Sequence, residues 1–296
     1  MTGFYTDHYF SMGQAHFIGG KPCQDYSLSG VCGEAAFAIV SDGCSTGGQT
    51  DVGARVIALS TAEAIKRHLT FDREPFDERA VEKVNLWQKA VISGARSMLG
   101  LEEKDMLATC LHACLAANGG YVNLQGDGVL AIKNRAGRVF MSKFEWSDNI
   151  PFYPAYAERG LGGFVAAHRG DLNSIRLTEE IYIWDQGNFT FGGVKNFTLS
   201  EGMRGITIFL DASDVENNAL TALFSDGIAQ IDGMDWKNAV IEFLAFKNLA
   251  GEFAKRRMIR GIKDARKRGR GPIDDIAYAV IRAENSDRQA QTWLDS

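Results

Sequence analysis

Residues 34–43 read Glu-Ala-Ala-Phe-Ala-Ile-Val-Ser-Asp-Gly. A short apolar run closed by Asp-Gly predicts a buried strand that delivers Asp42 at its end. After the polar loop Cys44 to Thr50, Asp51 is placed to cap a helix. Val52, Val56, Leu59, Ala62, Ile65 and Leu69 recur there at three- and four-residue steps. Pro75 interrupts the pattern, and Phe76, Ala80, Val84, Trp87 and Val91 predict a second helix. One strand therefore precedes two consecutive helices.

Strands follow. Residues 107–117 are apolar, Asn118-Gly119-Gly120 predicts a hairpin turn, and Tyr121 to Leu124 returns. Gly126-Asp127-Gly128 and Arg135-Ala136-Gly137 turn the chain again, so that an antiparallel meander is expected. Residues 145–200 are irregular, aromatic and glycine-rich, with strand candidates at 181–184 and 189–191, and read as an insertion over the sheet. A strand over 206–210 runs into Asp211 and Asp214, two helices are expected between 217 and 262, and Asp274-Asp275 introduces a last strand over 276–281. Helices are too few to separate most strands, which excludes a doubly wound parallel sheet. Two antiparallel sheets packed face to face, flanked by helices, satisfy the pattern in one domain spanning 1–296.

The chain has 296 residues, 45% hydrophobic and 23% charged, which suits a globular protein. With 37 acidic against 32 basic side chains the net charge is −5, so no overall attraction to nucleic acid or an anionic membrane is expected. No apolar stretch is long enough for a membrane helix, and the N-terminus lacks the pattern of a secretory signal. Five scattered cysteines form no disulfide framework or zinc motif and point to a reducing cytoplasm. Gly160 to Gly163 lacks the Lys-Ser/Thr of a P-loop, and no Gly-x-Ser-x-Gly elbow is present.

Asp42, Asp127, Asp214 and Asp274 each stand where an apolar strand stops or turns, and Asp25 lies in an early loop. An isolated aspartate there is a turn former. Several brought to one end of adjacent strands repel strongly unless cations neutralise them, and an oxygen-only donor set selects a hard ion, Mg²⁺ or Mn²⁺.

Seven segments fall in a familiar order: Gly13-Gln14-Ala15-His16, Lys21-Pro22-Cys23-Gln24-Asp25, Val40-Ser41-Asp42-Gly43, Ala108-Thr109, Gly126-Asp127-Gly128, Ala212-Ser213-Asp214-Val215 and Asp274-Asp275-Ile276. Together they resemble the PP2C-type (PPM) protein phosphatases, in particular the bacterial branch. The resemblance implies an α-β-β-α sandwich with two Mn²⁺ or Mg²⁺ ions at one end of the sheets, and hydrolysis of phosphoserine and phosphothreonine in protein substrates by a metal-activated water. It makes Asp42 the bridging ligand and the Gly43 carbonyl a second donor. It gives Asp214 and Asp274 to the other ion, has Asp25 contact the metal site directly or through water, and assigns Asp127 to a third, looser metal.

The sequence departs from the family at three places. Val215 stands where the family has glycine after its aspartate, and Ser213 and Asp211 are alternative occupants of that ligand position. Loss of that carboxylate would leave a catalytically weak binding module, and a hydrolase of small phosphate esters is a further alternative. Cys44-Ser45-Thr46 replaces the histidine assigned as general acid in animal enzymes, and no arginine precedes Asp25, so Lys21 and His16 are the candidates to touch phosphate. Residues 255–270 carry nine basic residues against one acidic, a run suited to an acidic partner or a phosphorylated substrate.

Overall fold

The computed structural model describes residues 2–72, 76–158, 161–167 and 172–285. Pro75 and Gly160 lie outside these residues. The chain runs β1 (Thr2–Ser11), α1 (Gln14–Gly19), β2 (Asp25–Cys32), β3 (Ala35–Asp42), α2 (Thr50–Arg67) and α3 (Glu78–Leu99). Next come β4 (Cys110–Ala116), β5 (Gly119–Gln125), β6 (Gly128–Asn134), β7 (Val139–Trp146), α4 (Leu161–Ala167), β8 (Arg176–Asp185), β9 (Asn188–Thr198) and α5 (Leu199–Gly202). The last elements are β10 (Ile206–Asp211), α6 (Ala212–Asn217), β11 (Asn218–Phe224), α7 (Trp236–Phe243), α8 (Phe253–Lys267) and β12 (Ile276–Asn285). Among the described residues no helix is long and apolar enough to cross a membrane.

Two antiparallel sheets form, as the sequence predicts: a seven-stranded one in the order β1-β12-β11-β6-β7-β8-β9 and a five-stranded one in the order β10-β5-β4-β3-β2. β3 shows why the run at 35–42 reads as continuously apolar. Ala36, Ala38 and Val40 face the core between the sheets, whereas Phe37 and Ile39 face α2 and α3. A strand covered on both faces has no polar side to present. Outside the larger sheet, Trp236, Phe243, Phe253, Met258 and Ile262 of α7 and α8 pack on Val129, Ala131, Phe224, Tyr278 and Val280. The result is four layers, helix-sheet-sheet-helix.

Several local expectations are corrected. Leu59 is 53% exposed, and the buried stripe of α2 runs through Ala54, Ile57, Ala58, Ala62 and Ile65. The small alanines let the helix lie close on the sheet, so close packing and not side-chain size selects the buried face. Asp51 sits within the first turn, paired with Arg55, and Gln49 occupies the cap position. The expected meander is two hairpins in different sheets, β4–β5 and β6–β7, joined by a crossing at Gly126-Asp127. Gly126 and Gly128 take φ of 111° and 149°, backbone angles that strain any side-chain-bearing residue. They carry the chain from one sheet to the other and leave Asp127 between the two. The segment read as irregular contributes a long hairpin, β8–β9, at the edge of the larger sheet; it contains both strand candidates and shifts register between Ile181 and Tyr182. The two helices expected between 217 and 262 are α7 and α8, the second running on to Lys267, while residues 218–224 of that interval form β11 between β12 and β6.

Candidate metal centre

Strand register decides which acids meet. In the five-stranded sheet Asp25 lies directly opposite Asp42 in the β2–β3 ladder. The residues just past Val40↔Leu111 and at Cys110↔Gln125 share that end. In the larger sheet Phe224 pairs with Tyr278 and Ser11 with Ile276, so the residues after β11, those before β12 and those after β1 gather together. Asp25, Asp42, Asp127, Asp226, Asp274 and Asp275 therefore come from five chain segments to one end of the sandwich. Asp42 and Asp274, 232 positions apart in the numbering, both lie close enough to act on Asp226.

Asp214 does not join them. It lies in α6, after Asp211, which pairs with Gly119 at the opposite end of β5 from Gln125. Six strand positions at about 3.3 Å each put it roughly 20 Å from the cluster. There Asp211 Oδ1 accepts from the backbone N–H of Asp214 at 2.8 Å, Asp214 Oδ2 accepts from that of Asp211 at 3.0 Å, and Ser213 Oγ donates to Asp211 at 2.7 Å. The three alternatives of the sequence reading thus make one exposed helix cap, a local use of short polar side chains. The residue that takes Asp214's expected place is Asp226. Its signal is the apolar run Leu220 to Phe224 closed by Ser225-Asp226-Gly227, the same pattern as Val40-Ser41-Asp42-Gly43.

Gly227 explains the glycine of that motif. A Cβ there would collide with the carbonyl oxygen of Asp275, a backbone atom that cannot turn aside. Gly227→Ala is expected to destabilise the chain by about 2 kcal/mol or more. A drop in melting temperature of several degrees checks this; an unchanged transition would mean the two loops do not pack as described.

The carboxylates divide by exposure. Asp42, Asp226 and Asp274 are partly exposed, whereas Asp25, Asp127 and Asp275 are buried. Asp42 lies within hydrogen-bonding reach of both Asp25 and Asp226. Burial, then the charges of Asp25 and Asp226, holds its carboxyl well above the usual range. Burial pushes Asp25 up to about 8 against the opposing effect of Ser225, whose Oγ donates to Asp25 Oδ2 at 2.6 Å. Asp226 is raised by burial and by Asp274. Gln230 Nε2 donates to both of these, at 3.2 Å and 3.4 Å. Asp127 is pushed to about 8 by burial, and its Oδ1 accepts the Trp146 N–H at 2.9 Å.

Asp275 plays a different part. Its two oxygens accept from the backbone N–H groups of Gly13 at 2.7 Å and Gln24 at 2.6 Å, and Oδ2 lies 2.7 Å from His16 Nδ1. This buried carboxylate ties the turn after β1 and the start of β2 to the start of β12. His16, expected at the phosphate, is 7% exposed and committed on one nitrogen to Asp275. Lys21 is exposed just beyond α1. The aromatic stretch packs into the core with Phe144, Trp146 and Phe152, and Tyr153 reaches Cys44 beside Asp42.

Among the described residues no lysine or arginine forms an ion pair with Asp25, Asp42, Asp226 or Asp274. Acids this close without a cationic side chain either share protons or bind metal. An all-oxygen donor set with solvent access fits Mn²⁺ or Mg²⁺.

Comparison with known proteins bears on this site. A family model described as protein phosphatase 2C matches residues 12–151. No curated protein matches the chain. Among solved structures, the serine/threonine phosphatase Stp1 from Staphylococcus aureus aligns at a TM-score of 0.55 and 9% identity, over 95% of this chain and 96% of that one. The catalytic domain of the serine/threonine protein phosphatase PstP in complex with two manganese ions aligns at 0.53 and 13% identity, over 96% and 100%. The Mycobacterium tuberculosis serine/threonine phosphatase PstP/Ppp aligns at 0.52 and 15% identity, over 95% and 99%. At these identities the likeness is one of fold.

Proposed function

We propose that the chain is a metal-dependent protein phosphatase of the 2C type that hydrolyses phosphoserine and phosphothreonine monoesters, a reading supported by the family match of residues 12–151 and by the likeness of fold. The observation that carries the reading is the convergence of Asp25, Asp42, Asp226 and Asp274 from distant segments, with no lysine or arginine among the described residues paired to them. In this reading Asp42, the Gly43 carbonyl, Asp226 and Asp274 hold two Mn²⁺ or Mg²⁺ ions, Asp25 stands behind Asp42, and Asp127 serves a third, looser ion. When bound, the ions supply Lewis acidity that neutralises charge on the phosphoryl group and makes a water nucleophilic at neutral pH.

The protein's own groups set the geometry. Ser225 orients Asp25 by donating to its Oδ2, and Asp25 lies within hydrogen-bonding reach of Asp42. Gln230 spans Asp226 and Asp274 and fixes their spacing. Asp275 holds the backbone before β2 and after β1, so the ligand-bearing ends move as one body. Lys21 is the cation we assign to the substrate phosphate, and His16, held by Asp275, accepts the Lys21 backbone N–H on its carbonyl. We place the chain in a reducing cytoplasm on the scattered spacing of its five cysteines. We take residues 1–296 to act as one phosphatase domain.

The catalytically weak alternative rests on loss of the carboxylate at the position first given to Asp214; in this reading Asp226, in Ser225-Asp226-Gly227, supplies that carboxylate. The test is hydrolysis of p-nitrophenyl phosphate and of phosphopeptides with Mn²⁺, with chelator, and after Asp42→Asn. Activity should need the metal and fall by at least about 100-fold in the variant. Turnover untouched by chelator or by the substitution would overturn the reading. A preference for small esters over every phosphopeptide would place the chain among small-ester hydrolases.

A further inference from the structure

The basic run at 255–270 forms most of α8, and its cations do not all have partners. Lys255 pairs with Glu252 and Arg257 with Glu242, Arg260 and Lys267 share Asp264, and Arg270 donates to the Gly233 carbonyl. Lys263 and Arg266 are exposed, and among the described residues neither has a carboxylate partner. Both line an open groove of about 580 Å³ between α8 and β1, together with Lys267, Tyr9, Ser11 and Ile259. Ile262 closes its floor. The groove walls are fixed to each other: Asp7 of β1 accepts from the backbone N–H groups of Ala254 and Lys255 at 2.6 Å and 3.0 Å and so caps α8.

Basic residues in a last helical turn favour the helix dipole, which accounts for Arg266 and Lys267 as stabilising groups. It does not account for Lys263, a turn earlier, or for an apolar floor beneath a cationic rim. The groove also has a direction. Ser11, at its inner end, pairs with Ile276, directly after Asp274-Asp275, and lies two residues before Gly13, whose N–H is held by Asp275. A chain leaving the metal centre along this edge enters the groove within a few residues.

We infer that this groove docks an acidic segment of the phosphoprotein substrate beside its phosphorylated residue, with an apolar side chain on Ile259 and Tyr9 and carboxylates on Lys263, Arg266 and Lys267. The inference rests on the phosphatase reading for the origin of the substrate, but the groove itself binds without catalysis. Protein is favoured over nucleic acid because the cationic rim encloses an aliphatic floor and the chain as a whole is acidic.

Fluorescence anisotropy of a labelled glutamate-rich peptide, lacking phosphate, with the full chain tests the docking. Lys263→Glu/Arg266→Glu/Lys267→Glu should weaken binding about tenfold or more, and raising NaCl from about 50 mM to about 500 mM should do the same to the unaltered chain. Lys263→Ala, which removes one exposed charge from inside the helix, should cost roughly threefold and remains informative if the triple variant folds poorly. Hydrolysis of p-nitrophenyl phosphate should be unchanged in both, while KM for a phosphopeptide with an acidic flank rises. Equal peptide binding by wild type and both variants would overturn the inference, as would tighter capture of an oligonucleotide of the same charge. A wild-type chain inert toward p-nitrophenyl phosphate would instead strike the phosphatase reading and leave the peptide-binding result to stand by itself.

Discussion

Asp226→Asn is expected to abolish metal-dependent phosphatase activity, with a loss of at least about 100-fold, whereas Asp214→Asn should stay within about twofold of the unaltered chain. The contrast follows from position. Asp226 is within reach of Asp42 and shares Gln230 with Asp274. Asp214 closes an exposed helix cap at the far end of β5. Removing an outer partner of a metal ligand typically costs 10- to 100-fold in affinity or activity, and a direct ligand should cost more. Unfolding would not explain the loss, because the substitution removes one of several mutually repelling acids. The metal-free variant should melt at or above the temperature of the metal-free wild type. The measurement is turnover with saturating Mn²⁺ beside melting curves with and without the ion. Full activity in Asp226→Asn, or a collapse in Asp214→Asn, would reverse the assignment of the two aspartates.

The second expected result concerns pH. Without metal, the chain should lose stability as pH rises from about 5 to about 8. Asp25 and Asp127 are pushed up to about 8, and Asp42 and Asp226 are also raised, all chiefly by burial. In the unfolded chain these carboxyls titrate near 3.9. Across the interval the folded state therefore binds more protons than the unfolded state, and folding weakens with increasing pH. The stabilisation is complete below the unfolded value and is lost as pH passes through the folded one. Divalent ions replace the missing protons. At 100 times its dissociation constant a bound ion adds about 2.7 kcal/mol, which is a rise of roughly 5 °C in a chain of this size. The gain from Mn²⁺ should be large at pH 8 and small at pH 5, where protons compete for the same oxygens. Melting temperatures over this range, with chelator and with Mn²⁺, test it. A metal-free curve that climbs steadily from pH 5 to 8, with no response to Mn²⁺, would mean that the acids neither crowd nor bind ions as described.

The sequence by itself determined the layered fold and singled out four of the six aspartates that converge, Asp25, Asp42, Asp127 and Asp274. β3 announces itself because a strand buried on both faces must be apolar at every position, and the acid that ends it has to lie at the sheet's edge. Asp274 is legible for the same reason at the start of β12. What local pattern does not carry is the end of the molecule at which a strand stops. Phe209-Leu210-Asp211 and Phe224-Ser225-Asp226 look alike along the chain, yet β10 runs away from the cluster and β11 runs toward it. Only the pairing of β10 with β5 and of β11 with β12 separates them, since antiparallel neighbours carry equivalent-looking termini to opposite edges. Tertiary structure likewise turned one expected meander into two sheets, because the two glycines flanking Asp127 permit a crossing that hydrophobic alternation cannot register.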